Sequence, residues 1–224
     1  MMKSLNTYIP AAGTASRLGG IPKFYLPVKD NQSLIGNHIK NLNKLNNNKI
    51  IIGTHNHFFK SIKNLYPEAN VKEIVSSSMV ETVKKLGLSK TNDSLVVMPD
   101  TYFFDYEVVK RMRTKLISSD ADIVLGLWKI RNDQKGKLGQ CVIEKGFIKK
   151  IIDKNRNCKE KYFWGLIMWG PQFNKYILNS DKHFGISLNR AIANNLKVTY
   201  SLAKDKYFDC GTFDEYKFML KNIK

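Results

Sequence analysis

Two acidic residues far apart in the chain and one loop of small residues carry the chemistry this sequence can support. Asp100 closes the apolar run Leu95-Val96-Val97-Met98-Pro99. A carboxylate at the end of a buried strand is placed to hold a hard divalent cation, which takes oxygen ligands and keeps several waters. The same position also suits a turn or helix-capping aspartate. Asp209 follows the apolar pair Tyr207-Phe208 and precedes Cys210-Gly211-Thr212. Thr212 fits an N-cap with Asp214 and Glu215 in the first turn, an account that leaves Asp209 unused. Near the start of the chain, Ala11, Ala12, Gly13, Thr14, Ala15 and Ser16 follow an apolar run. Small residues after a strand let backbone N–H groups approach an anion closely. Arg17 and Lys23 add a planar fork and a compact ammonium, both suited to phosphate oxygens. An ordinary strand-to-loop turn with two solvated cations accounts for the glycines alone.

These groups need a scaffold that brings strand ends together. Apolar runs predict strands over 5–10, 49–53, 71–75, 94–98 and 123–128. Helical spacing between them predicts helices over 34–45, 58–65 and 106–117, and one capped by Ser77 or Ser78 that stops at Gly87. This alternation describes an α/β protein with a Rossmann-like, doubly wound, mostly parallel sheet. Ligands of such sheets bind at the carboxyl ends of the strands. After residue 130 the rhythm changes. A hairpin is expected at 140–144 and 147–152 around Gly146, then a strand at 162–169, helices at 171–178 and 188–195, a strand at 197–202 and a last helix from Phe213. Residues 131–170 are expected to form a small antiparallel β extension over one side of the pocket. No repeat or linker divides the 224 residues, so a single domain is expected.

Composition narrows the function classes. The hydrophobic fraction of 43% argues against disorder. No apolar run reaches membrane-spanning length and the N-terminus lacks a signal pattern, so a soluble cytoplasmic protein with no membrane partner is the expectation. A net charge of +18 is spread along the chain rather than gathered in one arm. With no nucleic-acid-binding motif, specific nucleic-acid binding is not expected, and the charge attracts small polyanions instead. Cys141, Cys158 and Cys210 lack paired spacing and read as reduced thiols, two of them in apolar strands. His55 and His57 have no third ligand nearby and read as turn residues. Trp128, Trp164 and Trp169 read as core residues on strands, with Trp164 also suited to stacking on a sugar.

The ordered set Ala11-Ala12-Gly13…Arg17-Leu18…Pro22-Lys23…Leu26-Pro27-Val28 resembles the signature of the sugar-phosphate nucleotidyltransferases, which make nucleoside-diphosphate sugars. The resemblance implies that residues 11–17 and Lys23 wrap and contact the triphosphate. It further implies that Asp100 and Asp209, the latter in a stretch similar to Asp-x-Gly-Thr, bind one magnesium ion (Mg2+). Leu138-Gly139-Gln140 and Ile148…Asp153-Lys154 are similar to the family's sugar-contacting stretch. By that likeness the Gly139 backbone and Asp153 contact the sugar, Lys154 holds its phosphate, and Gly165 lies in the strand lining the sugar pocket. Ser78 occupies the place of a glycine that approaches the base, although a plain helix cap fits it too. The chain departs from the family at Ala15, Asp153, Asn155 and Phe213, and in a shortened spacer at Gly19-Gly20-Ile21. Together with Lys23-Phe24-Tyr25-Leu26-Pro27, that spacer also resembles the cytidylyltransferases of isoprenoid synthesis.

The implied reaction joins a nucleoside triphosphate to a sugar 1-phosphate and releases pyrophosphate. Residues 1–130 would bind the nucleotide, and 131–224 the sugar phosphate. Alternatives are a cytidylyltransferase for a polyol, isoprenoid-precursor or choline phosphate, a glycosyltransferase using a ready-made nucleotide sugar, and a non-catalytic nucleotide-binding homologue. The sequence is compatible with a homo-oligomer and fixes no oligomeric state.

Overall fold

The first strand sets the frame. The computed structural model describes residues 3–13 and 21–223, with eleven strands and six α-helices among them. β1 (Leu5–Ala11) is buried along its whole length, which requires cover on both faces. β2 (Asn48–Thr54) and β4 (Asp93–Val97) flank it in parallel, so that Thr7 stands between Ile50 and Leu95. β3 (Asn70–Glu73) continues the sheet beyond β2. On the other side, β6 (Ile123–Lys129) and β10 (Val198–Leu202) pair in parallel with each other. β9 (Tyr162–Trp169) lies between the halves, and the full order is β10-β6-β9-β4-β1-β2-β3.

β9 departs from expectation. The strand at 162–169 belongs to the main sheet rather than to an antiparallel extension beside it, and it runs opposite to both β4 and β6. Reversal has a direct use. Trp164 pairs with Leu127 near the end of β6, and Leu166 with Val97 at the end of β4. The first residues of β9 therefore emerge at the edge where the parallel strands finish, which is the ligand edge of such a sheet. The smaller extension is the hairpin β7 (Gln140–Glu144) and β8 (Phe147–Ile152), joined to β9 through Gln140 and Phe163. Lys145 and Gly146 both have positive φ, 49° and 80°, as a two-residue type I′ turn requires.

Helices cover both faces. α1 (Leu34–Leu42), α2 (Asn56–Leu65) and α4 (Glu107–Ser118) put Ile35, Ile39, Ile62, Val109 and Met112 against one side. α3 (Met79–Leu86) and α5 (Phe184–Ala193) put Val80, Val83 and Leu188 against the other. The ends of α3 match the expectation: the Ser78 hydroxyl accepts from the Glu81 N–H, and Gly87 closes the helix at φ 91°. Such a cap contributes about 1 kcal/mol. α5 starts four residues earlier than its apolar spacing suggested, because Gly185 and Ser187 are buried without being apolar. The expected helix at 171–178 is a 3-10 turn, Pro171–Tyr176.

Two short strands were not foreseen. β5 (Thr101–Phe103) and β11 (Tyr207–Asp209) form a separate antiparallel pair. α6 (Phe213–Asn222) closes over it, burying Tyr102, Phe208, Tyr216 and Met219 together. All three cysteines are free and buried, but only Cys141 lies within a strand. Cys210 directly follows β11, and Cys158 sits in the irregular segment before β9. No helix among the described residues is long and apolar enough to cross a membrane.

Candidate active site

A cavity of about 790 Å³ opens along the ligand edge of the sheet. One wall comes from the end of β1, through Pro10, Ala11 and Gly13, and from the turn at Pro22–Phe24. Ala12 is buried behind this wall. A Cβ added at Gly13 would meet no described atom within 4 Å, so this glycine leaves backbone open to the cavity rather than making room for a neighbour. Thr14, Ala15, Ser16 and Arg17 lie outside the described residues.

The floor holds the acids. Asp100 follows β4 in the turn that leads into β5, and Asp209 ends β11. Pairing of β11 with β5 sets Asp209 opposite Thr101, and the Cys210 N–H donates to the Asp100 carbonyl at 2.9 Å. Both side chains line the cavity. Lys23 faces them, its Nζ 3.7 Å from Asp100 Oδ2. Loss of hydration pushes the Asp209 carboxyl well above the usual carboxylate range, and the charges of Asp100 and then Glu215 add to the shift. The Lys23 ammonium and a hydrogen bond from the Gly211 backbone work in the opposite direction. Two neighbouring carboxylates, one partly exposed and one desolvated, are a donor set suited to a hard cation that completes its shell with water and phosphate oxygens. Among the described residues, no group of three or more His, Cys, Asp or Glu could share a metal ion, and His55 and His57 form none.

The opposite wall collects Gly139, Asp153, Lys154 and Gly165, all of which line the same cavity. Gly139 accepts the Trp164 N–H through its carbonyl at 3.1 Å. Gly165 sits at the register shift between β6 and β9. A Cβ there would come within 2.5 Å of the Tyr207 ring and 2.9 Å of Trp128, so only glycine lets those rings close beneath the pocket. Lys154 holds a left-handed backbone at φ 47°, in a turn directly after β8.

Several lining residues were not singled out from the sequence as site residues. His183 Nε2 lies 3.4 Å from Asp153 Oδ2. Lys137 pairs with Glu215 at 2.8 Å, and Glu215 also closes the capping box with Thr212. Trp164, by contrast, read from the sequence as a core residue also suited to stacking on a sugar, lines the cavity with its Nε1 buried without a hydrogen-bond partner. The Ser78 hydroxyl donates to the Asp181 carbonyl while capping α3, and the neighbouring Met79 lines the cavity.

The fold matches solved structures along almost its whole length. It superposes on a protein assigned as a glucose-1-phosphate thymidylyltransferase from Bacillus anthracis, solved with sucrose, with TM-score 0.79 and 17% identity, over 99% of this chain and 97% of that one. A UDP-glucose pyrophosphorylase complexed with UDP-glucose gives 0.75 and 18%, over 99% and 98%. The inositol-1-phosphate CTP transferase from T. maritima gives 0.73 and 14%, over 98% and 96%. At these identities the likeness establishes a shared fold. No curated protein matches the chain significantly by sequence. The family model for the MobA-like NTP transferase domain matches residues 7–148, from β1 through the tip of the β7–β8 hairpin, and the chain belongs to that family.

Proposed function

We propose that the protein transfers a nucleotidyl group from a nucleoside triphosphate to a sugar 1-phosphate, releasing pyrophosphate and forming a nucleoside-diphosphate sugar. The observation that carries this reading is the meeting of Asp100, Asp209 and Lys23 on one side of a cavity whose other side presents Asp153 and Lys154. The nucleophile, an oxygen of the acceptor phosphate, is already ionised at neutral pH. No general base is needed, and catalysis rests on alignment and charge.

In this reading the backbone at residues 11–16 cradles the triphosphate, with Arg17 and Lys23 spreading positive charge over its oxygens. Lys154 holds the acceptor phosphate in line with the α-phosphorus. The Gly139 backbone and Asp153 take sugar hydroxyls, with His183 against the Asp153 carboxylate. Asp100 and Asp209 would hold Mg2+, which would supply charge that neutralises the phosphates. Incubation with each nucleoside triphosphate, Mg2+ and a panel of sugar 1-phosphates, with detection of pyrophosphate, tests the reading. Pyrophosphate release with no sugar phosphate, but with a polyol phosphate and CTP, would establish the second reading. An inositol-1-phosphate CTP transferase shares the fold as the sugar-phosphate enzymes do, and this is the observation behind the second reading.

A further inference from the structure

His38 is buried completely in the middle of α1 and does not itself line the cavity. Both of its ring nitrogens are engaged. Nε2 lies 2.9 Å from the Thr101 carbonyl oxygen, and Nδ1 lies 2.6 Å from the Tyr106 hydroxyl. A carbonyl only accepts, so Nε2 carries the proton and Nδ1 accepts from the tyrosine. Asn37 in turn donates to the Tyr106 hydroxyl at 3.3 Å, and the Thr101 hydroxyl donates to the Met98 carbonyl at 2.9 Å. The donors thus run one way, from the helix through Tyr106 and His38 into the turn 98–101. Burial pushes the imidazole down to about 4, in keeping with a ring that stays neutral and keeps this arrangement.

We propose that His38 is a positioning residue for Asp100, fixing the turn that carries this carboxylate by gripping the Thr101 carbonyl from beneath. The inference rests on the reading of Asp100 as a metal-binding acid. Its reach extends to the other wall. The Leu34 N–H at the start of α1 donates to the Leu26 carbonyl at 3.0 Å, just past the Lys23–Tyr25 turn. One helix therefore braces both the turn bearing Lys23 and the turn bearing Asp100, whose side chains meet at 3.7 Å. An apolar residue at 38 would fill the space and leave the Thr101 carbonyl buried without its donor.

The test titrates Mn2+ alone into the full-length protein, reading free Mn2+ by electron paramagnetic resonance, with Asp100→Asn as the reference variant. His38→Leu is expected to weaken Mn2+ binding at least about fivefold with the far-ultraviolet dichroism unchanged, and His38→Gln, which keeps a donor at the Nε2 position, to restore most of it. Mn2+ affinity within twofold of the parent in His38→Leu, while Asp100→Asn loses binding, overturns the inference and leaves the metal site standing. Unchanged binding in Asp100→Asn itself overturns the metal site and the inference together. Should His38→Leu fail to fold, Tyr106→Phe decides. It removes the anchor on Nδ1 and keeps the ring, a smaller loss of Mn2+ affinity supports the proposal, and parent-like affinity overturns it.

Discussion

The backbone N–H of Cys210 donates to the carbonyl of Asp100 at 2.9 Å, joining two stretches more than a hundred residues apart. This bond extends the β5–β11 pairing by one step and sets the two acids side by side on the cavity floor. Because it is made by main-chain atoms, either carboxylate can be replaced without disturbing the frame that holds it.

Replacing Asp100 by Asn therefore tests chemistry apart from folding. The side chain has an ion pair with Lys23 and is partly exposed, so the melting temperature is expected to stay close to that of the parent. Turnover should fall at least about tenfold, the loss expected when a group stabilising transition-state charge is removed. Unchanged magnesium-dependent turnover would take Asp100 out of the active site.

Lys154 stands on the other wall, and its proposed task is to hold the acceptor phosphate before and during reaction. An interaction made equally in both states moves KM and leaves kcat nearly alone. Lys154→Ala is expected to raise KM for the sugar phosphate roughly tenfold, about 1.4 kcal/mol of binding. Steady-state saturation curves give the answer, and a normal KM would remove Lys154 from the site.

Gly165 offers a test of packing beneath the pocket. An alanine methyl there meets the Tyr207 ring at 2.5 Å and the Trp128 ring at 2.9 Å, both of them buried. Overpacking of this kind costs about 1–3 kcal/mol. Gly165→Ala should lower the denaturant midpoint accordingly, and a midpoint equal to that of the parent would show that the two rings yield freely.

Acid stability is expected to depend on Asp181. Two hydrogen bonds from Arg190, at 2.7 and 2.8 Å, and one from the Ser187 hydroxyl hold its buried carboxylate. These contacts, Arg190 foremost, bring its pKa down from 3.8 to about 2. The folded state binds the proton less readily than the unfolded chain, so the contribution is complete above pH 4 and is lost as pH falls toward 2. The shift corresponds to roughly 2 kcal/mol. Unfolding free energy measured from pH 5 to pH 2 should fall less steeply in Asp181→Asn than in the parent, and parallel curves would refute the assignment.

The sequence made some of this legible and hid the rest for identifiable reasons. Asp100 could be placed at a strand end because the apolar run before it stops abruptly at Pro99, and the Ser78 to Gly87 boundaries of α3 were written in its capping residues. The orientation of β9 was not legible. A continuous apolar run such as Phe163-Trp164-Gly165-Leu166-Ile167 has no direction, and only its two neighbours show that it is reversed. β5 and β11 are three residues each, too short for periodicity, and their partnership is set by the chain between them. Lys137 is one of 37 Lys and Arg residues, so nothing in the string marks it as the one facing Glu215. His183 precedes a helix whose first turn is buried through Gly185 and Ser187, and the spacing of apolar residues there pointed four positions downstream.

The reversed strand also orders events during folding. β4 and β6 are never neighbours, and the seat between them stays open until residues 162–169 have left the ribosome and inserted. A nascent chain ending near residue 130 thus lacks β9 beside β4 and both β9 and β10 beside β6, leaving three unpaired edges on strands with largely apolar side chains, the condition under which chains join edge to edge with one another. Residues 1–130 cannot complete the sheet ahead of the remainder, because the strand that joins β4 to β6 comes from residues 162–169.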